Sequence, residues 1–480
     1  LTSTATSTTT RATTATSTRA TTGRARAPRK ARAERAAYGL SLLVACTTFL
    51  FAGTSIPALT VPAFLLAILV VVYTPWRAAG PAPPLHAWLK VLAIVMVLQL
   101  VPLPAALVDR ISPGDRAVWQ SLSLTPVLGA LPLSVDLTAT ILAIAIGGGA
   151  MLLFVVSGRI FADGGVRIAV RGIAALGLLL AAESLAQDAT AHGLIYWRWD
   201  PGEGPPPFGP YLNRNHFATW MVIAIPLCLG YLVAHASVHG GREGAALTWR
   251  RRVAAALDGR SIWLAAAICL MLVALVASLS RSGMIGLTAA LALALYLRRH
   301  RAGPSRAGWA IGAIGIALVG VALRVNVREV LDRFGAAGVA AAYRMNIWRE
   351  TLPVVRRFWL TGSGVGTIET VMLVNQHAPS LFRINAAHNH YLQVAAEGGL
   401  LIGIPVAMAL ALFVRAAHDA LTRDASGMYF LRAGAVSGLF GVAVQSVWET
   451  GLTNPANAVL AAIAAAIAVH RSTPRVRPEA

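Results

Sequence analysis

The sequence predicts an all-α polytopic membrane protein, and three observations carry that expectation. Of the 480 residues, 56% are hydrophobic and only 13% charged, against about 25% charged in soluble domains. Apolar runs recur at lengths near the roughly 20 residues a helix needs to cross a bilayer. The 41 basic residues, set against 20 acidic ones, are threaded between those runs as loop charges are in membrane proteins. A formal charge of +21 would point to nucleic acid in a soluble chain. Threaded this way it points to loops facing anionic lipid, so no nucleic-acid partner is expected. Cys46, Cys228 and Cys269 all sit inside apolar runs, where thiols behave as small hydrophobes and offer no metal spacing.

Taken in order, residues 1–36 are Thr/Ser/Ala-rich and then Arg-rich, a composition expected to form a disordered basic tail. Membrane helices follow over 37–204, and the last ones, with a second basic tail, occupy 416–480. Spans are expected at 38–54, 57–74, 87–105, 137–157, 167–187, 216–236, 261–280, 283–298, 308–324, 390–414, 428–447 and 453–470, about twelve in all. Arg250, Arg251, Arg252 and Arg260 follow the sixth span, and Arg298, Arg299, Arg301 and Arg306 the eighth. Basic short loops stay cytoplasmic, so both termini are expected inside and loops 106–136, 188–215 and 325–389 outside. The last loop is itself Arg-rich, which is consistent with an anionic substrate on the outer face or with solvated helix faces beside headgroups.

Five clusters could carry chemistry. Ser280-Arg281-Ser282-Gly283 lies in a tight turn between two spans; topology supplies no reason for Arg281, whose guanidinium suits bidentate phosphate binding. In the outer loop, Arg344, Trp348 and Thr351 share one face of a short amphipathic helix expected to end at Pro353. Trp348 suits a membrane interface, so a surface-lying helix without chemistry fits this pattern equally well. Thr361–Thr367 is a Gly-rich turn with no strand–helix unit around it, hence a poor nucleotide site. His388-Asn389-His390-Tyr391-Leu392-Gln393 opens a span, with Asn389 placed to cap it. His390, Gln393 and Glu397 would then form a polar stripe, and a histidine there suits proton transfer better than metal binding. A weaker cluster, Phe208 to His216 with Arg214 and Asn215, leads into the sixth expected span.

In this order the clusters resemble the O-antigen ligase and O-antigen polymerase superfamily of bacterial membrane glycosyltransferases. The matching pieces are Asn213–His216, Ser280–Gly283, Arg344–Trp348, Gly362–Gly366, His388–Gln393 and Glu397–Gly399. They mark 205–415, including loop 325–389, as the catalytic region. Trp359 and Ile368 depart from the family's usual residues. The stripe argument alone would favour His390 as the active histidine, whereas the resemblance assigns that role to His388.

The resemblance implies transfer of a glycan from undecaprenyl diphosphate to an acceptor hydroxyl on the outer leaflet of the bacterial inner membrane, with inversion and with no metal or other cofactor. The acceptor would be lipid A–core or a second lipid-linked glycan. His388 would take the acceptor proton, and Arg281 and Arg344 would neutralise the departing diphosphate. Asn389, Tyr391, His390, Trp348, Arg214 and Asn215 would line the substrate. A polymerase of lipid-linked repeat units shares the donor and fits the same residues. A flippase or other transporter would place charges deep in several spans and repeat its halves, and neither pattern is visible.

Overall fold

The computed structural model describes residues 9–73, 83–124, 129–202, 206–240, 258–299, 301, 337–377 and 383–471. Among these residues the chain is all-α, with isolated bridges but no strand. The helices are α1 (Thr9–Phe49), α2 (Ile56–Tyr73), α3 (Pro83–Leu98), α4 (Ala105–Ile111), α5 (Pro113–Leu122), α6 (Leu137–Asp163), α7 (Val166–Thr190) and α8 (Arg214–Gly240). They continue with α9 (Gly259–Ala277), α10 (Arg281–Arg299), α11 (Ala337–Arg357), α12 (Ile368–Asn375), α13 (His390–Arg423), α14 (Met428–Gln445) and α15 (Pro455–Val469).

Seven described helices are long and apolar enough to cross a membrane: α2, α6, α7, α8, α9, α13 and α14. The shorter α3 and α15 are also apolar. Each expected span except 308–324 coincides with a helix, and that one lies outside the described residues, as do 325–336 of the outer loop. The expected spans at 38–54 and 283–298 fall in α1 and α10, whose basic and small polar residues dilute their apolarity. The segment expected as a disordered tail is helical from Thr9, in keeping with its Ala and Arg content. Near its end Ala33, Ala36 and Ala37 are buried, with Gly165 closing on Ala33 and Ala37. The helix expected in loop 325–389 also differs from expectation, because α11 runs through Pro353 to Arg357.

Helix α8 is the axis of the bundle, and its apolar stretch Phe217–Leu232 is wholly buried. It packs against α14 through small residues that let the backbones touch. A Cβ on Gly434 would come within 2.3 Å of Pro226 O, and one on Gly230 within 2.2 Å of Phe430 O. Helix α14 therefore lies close along α8, and the chain leaving its end arrives at the start of α8. The main core joins α1, α6, α7, α8, α9, α14 and α15. A separate small core gathers Val118, Val135, Ile347, Val354, Phe358, Ile368 and Met372 beneath α5, α11 and α12.

Helix α13 is interrupted at Gly399 (φ 53°, ψ −152°), a conformation open to glycine and costly to other residues. The Gly-rich turn seats itself in that interruption. Ser363 N donates to Ala396 O and Gly364 N to Glu397 O, while Leu400 N and Leu401 N donate to Trp359 O and Leu360 O. The buried Glu397 carboxylate accepts Gly366 N and Ile368 N, capping α12. Gln99 completes the knot, donating to Thr361 O and Glu397 O and accepting Val365 N. These amides are thus occupied within the fold, and the turn is a splice rather than a phosphate cradle.

Candidate active site

The site is built where the N-terminus of α8, the α9–α10 turn, α11, the lead-in to α13 and the chain after α14 come together. Its centre is Glu449, whose side chain is 1% exposed. Asn215 Nδ2 donates to Glu449 Oε2 at 2.6 Å. His388 Nδ1 lies 3.4 Å from Oε1 and His216 Nε2 3.9 Å from it. Arg344 Nη2 is 3.7 Å from Oε2, and Thr450 N donates to Oε1. Burial opposes ionisation of this carboxyl most strongly. The hydrogen bond from His388 and the charges of His216, His388 and Arg344 outweigh it and hold Glu449 below the usual carboxylate value.

Each partner is fixed by its own local structure. Asn213 Oδ1 accepts Asn215 N, so the Asn-Xaa-Asn sequence turns the chain into α8. His388 has φ 47°, and its neighbours hold it in that strained conformation. Trp348 Nε1 donates to Ala387 O at 3.1 Å, and Ala387 N donates to Gln393 Oε1. His390 N donates to Ser446 O, which ties the start of α13 to the chain carrying Glu449.

The serines beside Arg281 have a specific task. Ser280 Oγ accepts Gly283 N, which starts α10, and donates to Asn215 Oδ1 at 2.7 Å. Ser280 thus joins the Arg281 turn to Glu449 through one amide side chain. Arg281 itself is half-buried as the first residue of α10.

The structure therefore brings His388, Arg344 and Asn215 directly onto one carboxylate and sets Arg281 next to Ser280, which bonds Asn215. Trp348 supports the His388 segment from below. Asn389 Oδ1 accepts Leu392 N, so its side chain caps α13. Tyr391 OH donates to Ala443 O while its ring stays exposed. Arg214 reaches Pro206 O. His390 Nδ1 is buried with no hydrogen-bond partner among the described residues, and the expected polar stripe resolves into a Gln393–Glu397 bond inside the splice. Glu449 is the site residue that sequence reasoning passed over, and His216 stood in the weaker cluster without a role of its own. The signal available for Glu449 was an acid at the outer end of a span, next to a turn closed by Asn454.

An apolar groove of about 370 Å³, lined by Trp359, Tyr391, Val394, Leu400 and Gly403 among others, opens beside the first turns of α13. A larger apolar hollow of about 520 Å³ lies on the α3 side of the same helix, lined by Leu98, Leu133 and Ile404. Among the described residues no three His, Cys, Asp or Glu side chains gather as a metal-binding group.

Residues 266–407 match the family described as O-antigen ligase. The match runs from within α9 to the middle of α13 and takes in Arg281, Arg344 and His388, while Asn215 and Glu449 lie outside it. It supports the O-antigen ligase/polymerase superfamily, and with it an enzyme in general. No individual curated relative matches the chain.

Proposed function

We propose that this protein is an O-antigen ligase-like membrane glycosyltransferase that moves a glycan from undecaprenyl diphosphate to an acceptor hydroxyl. The observation that carries this reading is the meeting of His388 and Arg344 on the buried Glu449 carboxylate. A carboxylate on one ring nitrogen fixes the imidazole's tautomer and leaves the other nitrogen to accept a proton. His388 Nδ1 faces Glu449, so Nε2 is the proton acceptor.

In the reaction the acceptor oxygen bonds to the anomeric carbon from the face opposite the diphosphate. The bond from that carbon to the phosphate oxygen breaks, and the acceptor proton passes to His388 Nε2. The leaving group gains negative charge, which Arg281 and Arg344 neutralise without a divalent cation. Arg344 Nε, buried and with no hydrogen-bond partner among the described residues, is a donor held ready for a phosphate oxygen. Glu449 balances the arginine's charge while the donor is absent. The polyprenyl chain lies in the groove beside Tyr391, the nearer of the two apolar hollows to the His388 segment.

The arrangement is that of a C-type glycosyltransferase with about twelve spans, both termini cytoplasmic and the active site on the periplasmic side of the inner membrane. Reconstitution with a lipid-diphosphate-linked oligosaccharide and two acceptors tests the reading. Product on lipid A–core, retained in chelator, is the expected result. A ladder of lengthened lipid-linked glycans would instead identify a polymerase, and no transfer to either acceptor would overturn the proposal.

A further inference from the structure

The outer loop after α7 holds a feature that the reaction does not use. Ile195 and Trp199 exchange both backbone hydrogen bonds, closing a three-residue turn over Tyr196, Trp197 and Arg198. Tyr196 and Trp197 take φ 53° and 57°, values rare for bulky aromatic residues and sustained only where the surroundings impose them. Trp197 and Trp199 remain 47% and 60% exposed.

Interfacial tryptophans commonly turn the indole N–H toward headgroups or water and leave the ring in the acyl region. Trp197 is arranged otherwise. Its Nε1 donates to Thr190 Oγ1 at the protein surface, at 2.7 Å, so its polar edge is spent on the protein while the ring stays exposed. Trp199 is steadied by Phe51, ring centroids 5.5 Å apart. Two flat apolar faces on a stiff, strained turn match the C–H faces of pyranose rings.

The turn is also bolted to the site. Gln187 accepts Tyr196 N and donates to Gly209 O, fixing the aromatic turn to the one before α8. Beyond it, Asn457 Nδ2 donates to His216 O, and His216 faces Glu449. Tyr211 OH, 3.5 Å from Asn457 Oδ1, spans the interval between them.

We propose that Trp197 and Trp199 form a carbohydrate-stacking platform that holds the glycan of a substrate at a fixed distance from His388 and Glu449. This rests on the glycosyltransferase reading and adds to it a binding subsite for sugar rings remote from the bond that is made. The glycan belongs either to the donor or to the acceptor, and the chemistry recognised is the same.

The test uses the full chain in lipid nanodiscs, labelled with 5-fluorotryptophan, the two signals being assigned with Trp197→Phe and Trp199→Phe. The probes are two lipid-free glycans released from lipopolysaccharide by mild acid: the core oligosaccharide for the acceptor and an O-polysaccharide fragment for the donor. One of them should shift both signals saturably, which names the source. The Trp197→Ala/Trp199→Ala protein should bind it about tenfold more weakly. Its KM for the matching substrate should rise by a similar factor while kcat stays within about twofold. His388→Ala should lose transfer and keep the shifts. Wild-type transfer with no shift from either glycan, or an unchanged KM in the double variant, would overturn the platform and leave the transfer reading standing. Shifts without any transfer would do the reverse. Signals that depend on nanodisc lipid composition and ignore both glycans would make the pair a membrane anchor and overturn the proposal.

Discussion

His388 Nδ1 lies 3.4 Å from Glu449 Oε1, although the two are 61 positions apart with the whole of α13 and α14 between them. The contact exists because glycines on α14 allow it to lie against α8 and return the chain to the point where α8 begins. It turns a histidine on a strained loop into one half of a polar pair with a defined orientation.

Glu449→Gln keeps the shape of that pair and removes its charge. With Glu449 ionised, His388 is oriented and Arg344 is balanced; with glutamine, both lose their partner at once. Transfer should fall by about 10²-fold or more, comparable to loss of a general base, as it should for His388→Ala. Circular dichroism and detergent-extracted yield should be unchanged. Near-normal turnover of Glu449→Gln would remove the carboxylate from the mechanism.

How legible this site was depends on where each residue's partner lies. His388, Arg344 and Arg281 each stand in a short, recognisable pattern, so their chemistry could be read locally. Helix positions were legible too, because apolar runs of span length have few alternatives in a chain this poor in charge. Glu449 carries no local pattern, and its meaning comes entirely from α14 lying on α8, a tertiary contact made by scattered glycines. The Gly-rich turn was legible as a turn and a poor nucleotide site, but its seat was not, for the same reason. Its amides invite an anion in sequence, and only the interruption at Gly399, on a distant helix, shows what they bind.

That splice makes its own prediction. Gln99 is fully buried and holds Thr361 O, Glu397 O and Val365 N together. Gln99→Ala strands Thr361 O and Val365 N, at about 1–3 kcal/mol for each buried group left unpaired, while Glu397 O keeps the bond from Gly364 N. Gly362→Ala adds strain from the other side, since φ is 71° and a Cβ would sit 2.0 Å from Glu397 O. Both variants should lower the thermal unfolding temperature in detergent and reduce transfer in proportion. Neither touches substrate, so full activity in the residual folded fraction is expected. A normal melting temperature for either would show the knot to be dispensable.

Asp115, fully buried in α5, predicts a pH dependence. Burial raises its carboxyl to about 8 from the ordinary 3.8, against the opposing pull of Ser112 and Arg357. Between those values the folded protein binds a proton that the unfolded chain has released. Its contribution to stability is therefore complete at acid pH and is lost as pH rises through about 8. Asp115→Asn cannot titrate, so the fall in melting temperature over that range should flatten in the variant. An identical slope in both proteins would place the titrating group elsewhere.

Trp348 separates positioning from chemistry. Its Nε1 donates to Ala387 O, one residue before His388, from the same helix that carries Arg344. Trp348→Phe keeps most of the half-buried ring and deletes that single donor, costing about 0.5–1.5 kcal/mol of local order. Arg344 stays on α11 and still reaches Glu449, so donor binding should survive while His388 samples unproductive orientations. The expected result is a kcat lowered by about tenfold with KM for the lipid-linked donor little changed. His388→Ala in the Trp348→Phe background should cause a smaller further loss than in wild type, because both changes act on one imidazole. Fully multiplicative effects would mean that Trp348 acts through something other than His388.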